Sequence, residues 1–277
     1  MFIGNQHLIE DFKKLAEGGK LAHGYIFFGE PQVGKFTFAR SLANFLENKK
    51  FDLPERILSD SLAINEKNRE GGGIDLARMA KIFLSQRPAL SSKRMAIIDE
   101  ADKLTPEAQN AILKIAEEPP MGALIILITS QPANLLPPLL SRLQKIYFSR
   151  TSEEEIAKFL IESRGVGAKK AAEAAGDSCG RAGRAVDLLE NALMAEAKKS
   201  AEKFLDVQSP GRSRFIKDLV EIQKENPKFL DYFFEFVIIG LRKDPIKNLD
   251  MLKSCLNRLF LIKSYNTNKR LQIEAII

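Results

Sequence analysis

Gly24-Tyr25-Ile26-Phe27-Phe28-Gly29-Glu30-Pro31-Gln32-Val33-Gly34-Lys35 is the stretch that decides how this chain is read. Its first five residues are a short aromatic and β-branched run, which predicts a strand stopping at Gly29. From Phe38 onward the apolar residues Phe38, Leu42, Phe45 and Leu46 fall at helical spacing, so a helix follows. Strand, glycine-bounded loop and helix, in that order, are the context in which G-x-x-x-x-G-K becomes a phosphate cradle. Backbone N–H groups of such a loop and the helix start favour an anion, and a lysine reaches the terminal phosphates. Gly29, Gly34 and Lys35 are therefore candidate nucleotide-binding residues. The next position should carry Ser or Thr, whose hydroxyl helps to hold magnesium. Here it is Phe36, and Thr37 comes one position late. Thr37 stays on the candidate list, and the competing reading is a glycine-rich turn that keeps only the shape of the loop. Phosphate binding is the favoured reading; unaided hydrolysis is not.

Outward from this stretch, residues 1–150 alternate strand-like apolar runs with amphipathic helices, which implies βαβ units and a parallel sheet. Met95 to Ile98 is a second buried strand and ends in Asp99-Glu100; Leu124 to Ile128 is a third and ends in Thr129-Ser130. Ligands of open α/β sheets bind at the carboxyl edge. There Asp99 is a candidate for orienting magnesium through water and Glu100 for polarising an attacking water. Thr129 and Ser130 are candidates for contact with a γ-phosphate, or simply strand caps. An acidic pair after an apolar strand is otherwise a solvated turn. Between these strands Thr105 is the expected N-cap of a helix with Pro106 at its first position, and Pro119-Pro120 stops it. Glu117 and Glu118 fall at the negative end of that helix dipole, which propensity does not explain.

Counts narrow the classes. A chain of 277 residues suggests two or three domains. With 45% hydrophobic and 28% charged residues it is a globular composition, not a disordered one. The longest apolar run, Ala123 to Ile128, falls far short of the ~20 residues a bilayer requires. The start MFIGNQHLIEDF does not read as a signal peptide. Cys179 and Cys255 are too few and too far apart for a disulfide framework or a cysteine-rich zinc site, so a reducing cytoplasm is the expected compartment. The net charge of +6 is shared evenly between residues 1–150 and 151–277 and permits nucleic-acid contact without demanding it.

Residues 151–205 read as helices. Thr151 or Ser152 before Glu153-Glu154-Glu155 is an N-cap with an acidic first turn. Gly165-Val166-Gly167 and Gly176 to Gly183 are read as breaks, and Ser209-Pro210-Gly211 as a linker. The Phe-rich run Phe229 to Phe236 belongs to a helix apolar on nearly all sides, hence buried in its own domain or between subunits. Lys169-Lys170 and Lys198-Lys199 read as solvated helix faces, with phosphate-backbone contact the minority alternative.

Several runs carry a resemblance: His23 to Gly29, Glu100-Ala101-Asp102-Lys103-Leu104, Ala108-Gln109-Asn110-Ala111-Ile112-Leu113-Lys114 and Glu117-Glu118-Pro119-Pro120. They resemble bacterial clamp-loader subunits of the DNA polymerase III holoenzyme, the delta-prime type most. The match continues from Thr129 to Arg142, where Ser141-Arg142 corresponds to the family's Ser-Arg-Cys motif. The resemblance implies an AAA+ P-loop domain with a parallel sheet (residues 1–150), a helical lid (151–210) and an all-α collar (211–277). It implies a pentamer in which ATP binding opens a sliding clamp and places it on primed DNA. The implied partners are gamma/tau-like and delta-like subunits, the sliding clamp and primed DNA, with no membrane. By the same carry-over Arg142 acts in trans as a finger on a neighbour's ATP, a role worth ~10³-fold or more in rate.

Departures from the family pattern sharpen that expectation. Leu143 replaces the motif's cysteine, and the four cysteines of a zinc knuckle carried by many relatives are missing, so no zinc is expected. In Gly180-Arg181-Ala182-Gly183-Arg184, Gly183 takes the place of the lid arginine. With Phe36, this favours a stator that assists a neighbour over a hydrolysing gamma/tau subunit, with ATP and magnesium left as candidate cofactors. Two rivals stay open: a self-sufficient AAA+ ATPase that uses Lys35, Thr37, Asp99 and Glu100, and a DNA-binding adaptor with a vestigial nucleotide fold.

Overall fold

A computed structural model describes residues 2–65, 73–206, 226 and 228–264. The chain falls into two compact units, Met1–Arg184 and Ala185–Ile277.

In the first unit five parallel strands form one sheet in the order β2-β3-β4-β1-β5. They are β1 (Gly24–Phe28), β2 (Ser61–Ile64), β3 (Arg94–Ile98), β4 (Ala123–Thr129) and β5 (Gln144–Tyr147). The three strands expected from apolar runs are the inner ones. All seven residues of β4 are buried, as a strand covered on both faces requires. The edge strands Ser61-Leu62-Ala63-Ile64 and Gln144-Lys145-Ile146-Tyr147 are short and partly polar, so neither stood out by apolar content.

Side chains alternate across the sheet with period two. Ile26, Ala96, Ile98, Ile125 and Leu127 face one core, closed by α3 (Gly73–Leu84), α4 (Pro106–Glu117) and α5 (Pro137–Arg142). Tyr25, Phe27, Met95, Ile97, Leu124 and Ile126 face the other, closed by α1 (Gln6–Glu17) and α2 (Lys35–Asn48). Phe38 fixes the first turns of α2. Its ring meets Phe12, Phe27 and Phe148 edge-on at 5.3, 5.6 and 5.2 Å, contacts that add about 0.5–1.5 kcal/mol each to burial.

The expected caps form. Thr105 Oγ1 accepts the Ala108 N–H at the start of α4, and Ser152, not Thr151, caps α6 (Glu153–Arg164) by accepting from Glu155. Such caps are worth about 1 kcal/mol each. Gly165 ends α6 in a left-handed conformation. The break expected from Gly176 to Gly183 forms but is shorter: α7 (Ala168–Ser178) runs through Gly176 and stops at Cys179-Gly180, both at positive φ. Helix α8 (Ala182–Glu190) follows.

In the second unit α9 (Ala192–Asp206) packs against the helix Phe229–Leu241. Met194, Ala197, Ala201 and Phe204 meet Phe229, Phe233, Phe234 and Val237 in one buried cluster. The Phe-rich run therefore serves its own core. Among the described residues the final helix spans Leu249–Ser264. The linker read at Ser209-Pro210-Gly211, and with it the boundary at residue 210, lies outside the described residues.

Candidate functional site

Parallel pairing of β1 between β4 and β5 brings the ends of β1, β3 and β4 to one edge of the sheet. The cavity there has a volume of about 350 Å³ and is lined by Lys35, Thr37, Asp99, Glu100, Thr129 and Ser130, among others. Every predicted site residue except Gly29 and Arg142 lines it. Gly34 contributes to the wall and N-caps α2 at φ 98. Gly29, at φ 143, lies behind the loop, where a Cβ would stand 2.5 Å from the Phe148 carbonyl oxygen. Only glycine tolerates that approach.

Several of the cavity's polar groups are engaged with one another or with the loop. Lys35 is buried, and its Nζ donates to the carbonyls of Gly29 (2.7 Å) and Glu30 (2.6 Å) of its own loop. Burial lowers its pKa to about 8, against the pull of Asp99, Asp102 and Glu30, which raise it. Asp99 accepts the Glu100 N–H at 2.9 Å. Glu100 stands at φ 49 and its Oε1 accepts from Lys103 Nζ at 2.6 Å. Thr129 Oγ1 donates to Asp102 Oδ1 at 2.5 Å and accepts the Gln131 N–H at 2.9 Å. Phe36 reaches the aromatic core behind the loop, so the position after Lys35 offers no hydroxyl. The shape suits a phosphate. The position after Lys35 carries no hydroxyl to hold magnesium, and Thr37, one position on, lines the cavity.

Two segments brace this loop from outside. Gly183 N–H donates to the Gln32 carbonyl at 2.8 Å, and a Cβ on Gly183 would meet that same oxygen at 3.0 Å. Arg150 pairs with Glu30 Oε1 through Nε at 2.9 Å and Nη2 at 2.5 Å. Arg184, the next residue after Gly183, is buried at 1% exposure.

Arg142 is set apart from the cavity, at the end of α5. Its Nη2 lies 2.8 Å from Glu117 Oε1, with both side chains 41% exposed, and its Nη1 donates to the Pro138 carbonyl at 3.3 Å. Leu143, in the place of the motif's cysteine, is buried in the core beneath β1. Sequence reasoning passed over Asp102, Gln32 and Gln109. Gln109 is buried, donates to the carbonyls of Leu104 (3.2 Å) and Asn134 (3.3 Å), and accepts the Leu136 N–H (2.8 Å). Its only signal was its place in the quoted run. Glu117 had a signal of its own, a carboxylate at the wrong end of a helix.

Comparisons with known proteins bear on the family and the fold. A family model described as DNA polymerase III, delta subunit, matches residues 4–152, more than half of the chain. Replication factor C subunit 3 of Blastobotrys adeninivorans is 33% identical over 155 residues, 55% of this chain and 43% of that protein. DNA polymerase III subunit gamma/tau of Mycobacterium bovis is 29% identical over 153 residues, 50% of this chain and 26% of that protein. The chain thus spans less than half the length of these relatives. In overall fold it is similar to a Thermotoga maritima protein described as DNA polymerase III, gamma subunit-related. The TM-score is 0.58 at 22% identity, covering 97% of this chain and 96% of that one.

Proposed function

The chain belongs to the DNA polymerase III delta subunit family, with the α/β AAA+ fold, and from that premise we propose that it is a delta-prime-like subunit of a clamp loader. In this reading it assembles with gamma/tau-like and delta-like subunits in the cytoplasm and supports ATP-dependent loading of a sliding clamp on primed DNA. It does not hydrolyse ATP itself, and it supplies Arg142 in trans to a neighbour's nucleotide. A fixed cation beside the γ-phosphate stabilises charge that develops in the transition state. In this reading residues 1–150 are the AAA+ domain, 151–210 the lid and 211–277 the collar, with α9 of the lid sharing its buried core with the collar helix Phe229–Leu241. No helix among the described residues is long and apolar enough to cross a membrane.

One observation supports the reading: Phe36, packed against the aromatic core, stands where a magnesium-holding hydroxyl would be. The gamma/tau and replication factor C relatives supply the assembly context.

The test is ATP turnover by the purified chain and by the assembled loader. The isolated chain is expected to show no magnesium-dependent turnover, and Arg142→Ala is expected to slow the complete loader. Robust hydrolysis by the chain alone, abolished by Lys35→Ala, would choose the self-sufficient ATPase. Tight, salt-sensitive DNA binding without partners would choose the adaptor.

A further inference from the structure

We propose that Glu117 is a positioning residue for Arg142, presetting the guanidinium before a neighbouring subunit arrives; this rests on the trans role proposed above for Arg142. The carboxylate is misplaced for its own helix. It ends α4, where the helix dipole disfavours a negative charge. What answers that charge is Arg142, 2.8 Å away on α5.

The two ends are held in fixed register. Gln109 of α4 accepts the N–H of Leu136, the residue before α5, and donates to the Asn134 carbonyl. Leu139 of α5 is fully buried in the same core as Ile112 and Ile115 of α4. The residue that holds the arginine thus sits on an element packed against the arginine's own helix.

A guanidinium has five N–H donors in a rigid fork. Here Nη2 is engaged by Glu117 and Nη1 by the Pro138 carbonyl, while the side chain remains 41% exposed. The group is gripped by its own subunit and is still partly open to solvent. An arginine left to sample its rotamers must be ordered when a phosphate arrives, and that ordering opposes binding. Glu117 removes part of that cost in advance.

The test uses the full chain reassembled with gamma/tau-like and delta-like subunits, sliding clamp and primed DNA, and reads steady-state ATP turnover. Glu117→Ala is expected to lower kcat about fivefold, the size an exposed pair can supply. KM for ATP should stay unchanged, and the thermal midpoint of the isolated chain should fall by no more than about 4 °C. On an Arg142→Ala background the same substitution should add nothing, because its effect passes through that arginine. Wild-type turnover by Glu117→Ala, with Arg142→Ala slowed, overturns the positioning role and leaves the finger standing. Wild-type turnover by Arg142→Ala overturns the finger and this inference together. A fall that adds to that of Arg142→Ala, or that comes with a thermal midpoint lowered by more than about 4 °C, gives Glu117 a purely structural part and also overturns it.

Discussion

Arg142 and Glu117 close an ion pair of 2.8 Å between the last residue of α5 and the last residue of α4. It resolves the anomaly of a carboxylate at a helix C-terminus through a partner 25 positions away. Exposed pairs of this kind contribute ~0–1 kcal/mol. Arg142→Ala should therefore lower the thermal midpoint of the isolated chain by no more than about 4 °C in scanning calorimetry. A larger drop would mean that the pair supports the fold, and any loss of loader activity could not then be assigned to chemistry.

Asp60 anchors the turn before β3. Its carboxylate is 2% exposed, accepts from the backbone N–H groups of Ala89, Leu90 and Ser91, and pairs with Arg94 at 3.2 Å. Asp60→Asn should cost about 2–3 kcal/mol in urea unfolding, since it weakens a charge-assisted buried network. Burial pushes this carboxyl up, but the three N–H groups and Arg94 outweigh it and hold it below its usual range. A folded pKa below the unfolded value of about 3.9 gives stability that is present above that value and lost as pH falls through the folded one. The gap between wild type and Asp60→Asn should stay constant from neutral pH down to about 5 and narrow below about 4.

Lys35 should titrate near 8, as read by side-chain NMR of the labelled ammonium. Asp99→Asn should lower that midpoint further, because Asp99 favours the charged form. Between about 8 and 10.5 the unfolded chain holds the proton that the folded chain has lost, so stability should rise with pH across this window. Lys35→Met should flatten that rise. A midpoint in common with the exposed lysines would show that Lys35 is not desolvated.

Gly34→Ala should destabilise the chain by about 2 kcal/mol in urea unfolding, from strain at φ 98 and from a Cβ only 2.9 Å from the Phe2 ring. Adding Phe2→Leu should recover the steric part and leave the backbone part. Full recovery would show that the conformation itself carries no strain.

Much of this architecture was legible in the residues. The three inner strands announced themselves because a strand buried on both faces is apolar throughout, as Leu124 to Ile128 is. Thr105-Pro106 and Ser152 with its glutamates marked helix starts because orphan N–H groups demand particular side chains there. The edge strands carried no such mark, and the break expected from Gly176 begins only at Cys179, because one glycine inside a helix costs only about 1 kcal/mol. At the site, sequence placed Lys35, Asp99, Glu100 and Thr129 on one edge. It could not say that Thr129 would bond Asp102 or that Lys35 would turn back on Gly29, since those choices are made by atoms brought together only in three dimensions.

The carbonyl of Gln32 and the carboxylate of Glu30 hold the loop to Gly183 and Arg150. Such a loop is a joint as well as a receptacle. Its shape is constrained by the pieces bolted to it even in a molecule where no triphosphate ever enters. A lineage that gave up turnover would be free to discard the hydroxyl after Lys35, yet would still have to keep the bend that carries Gln32.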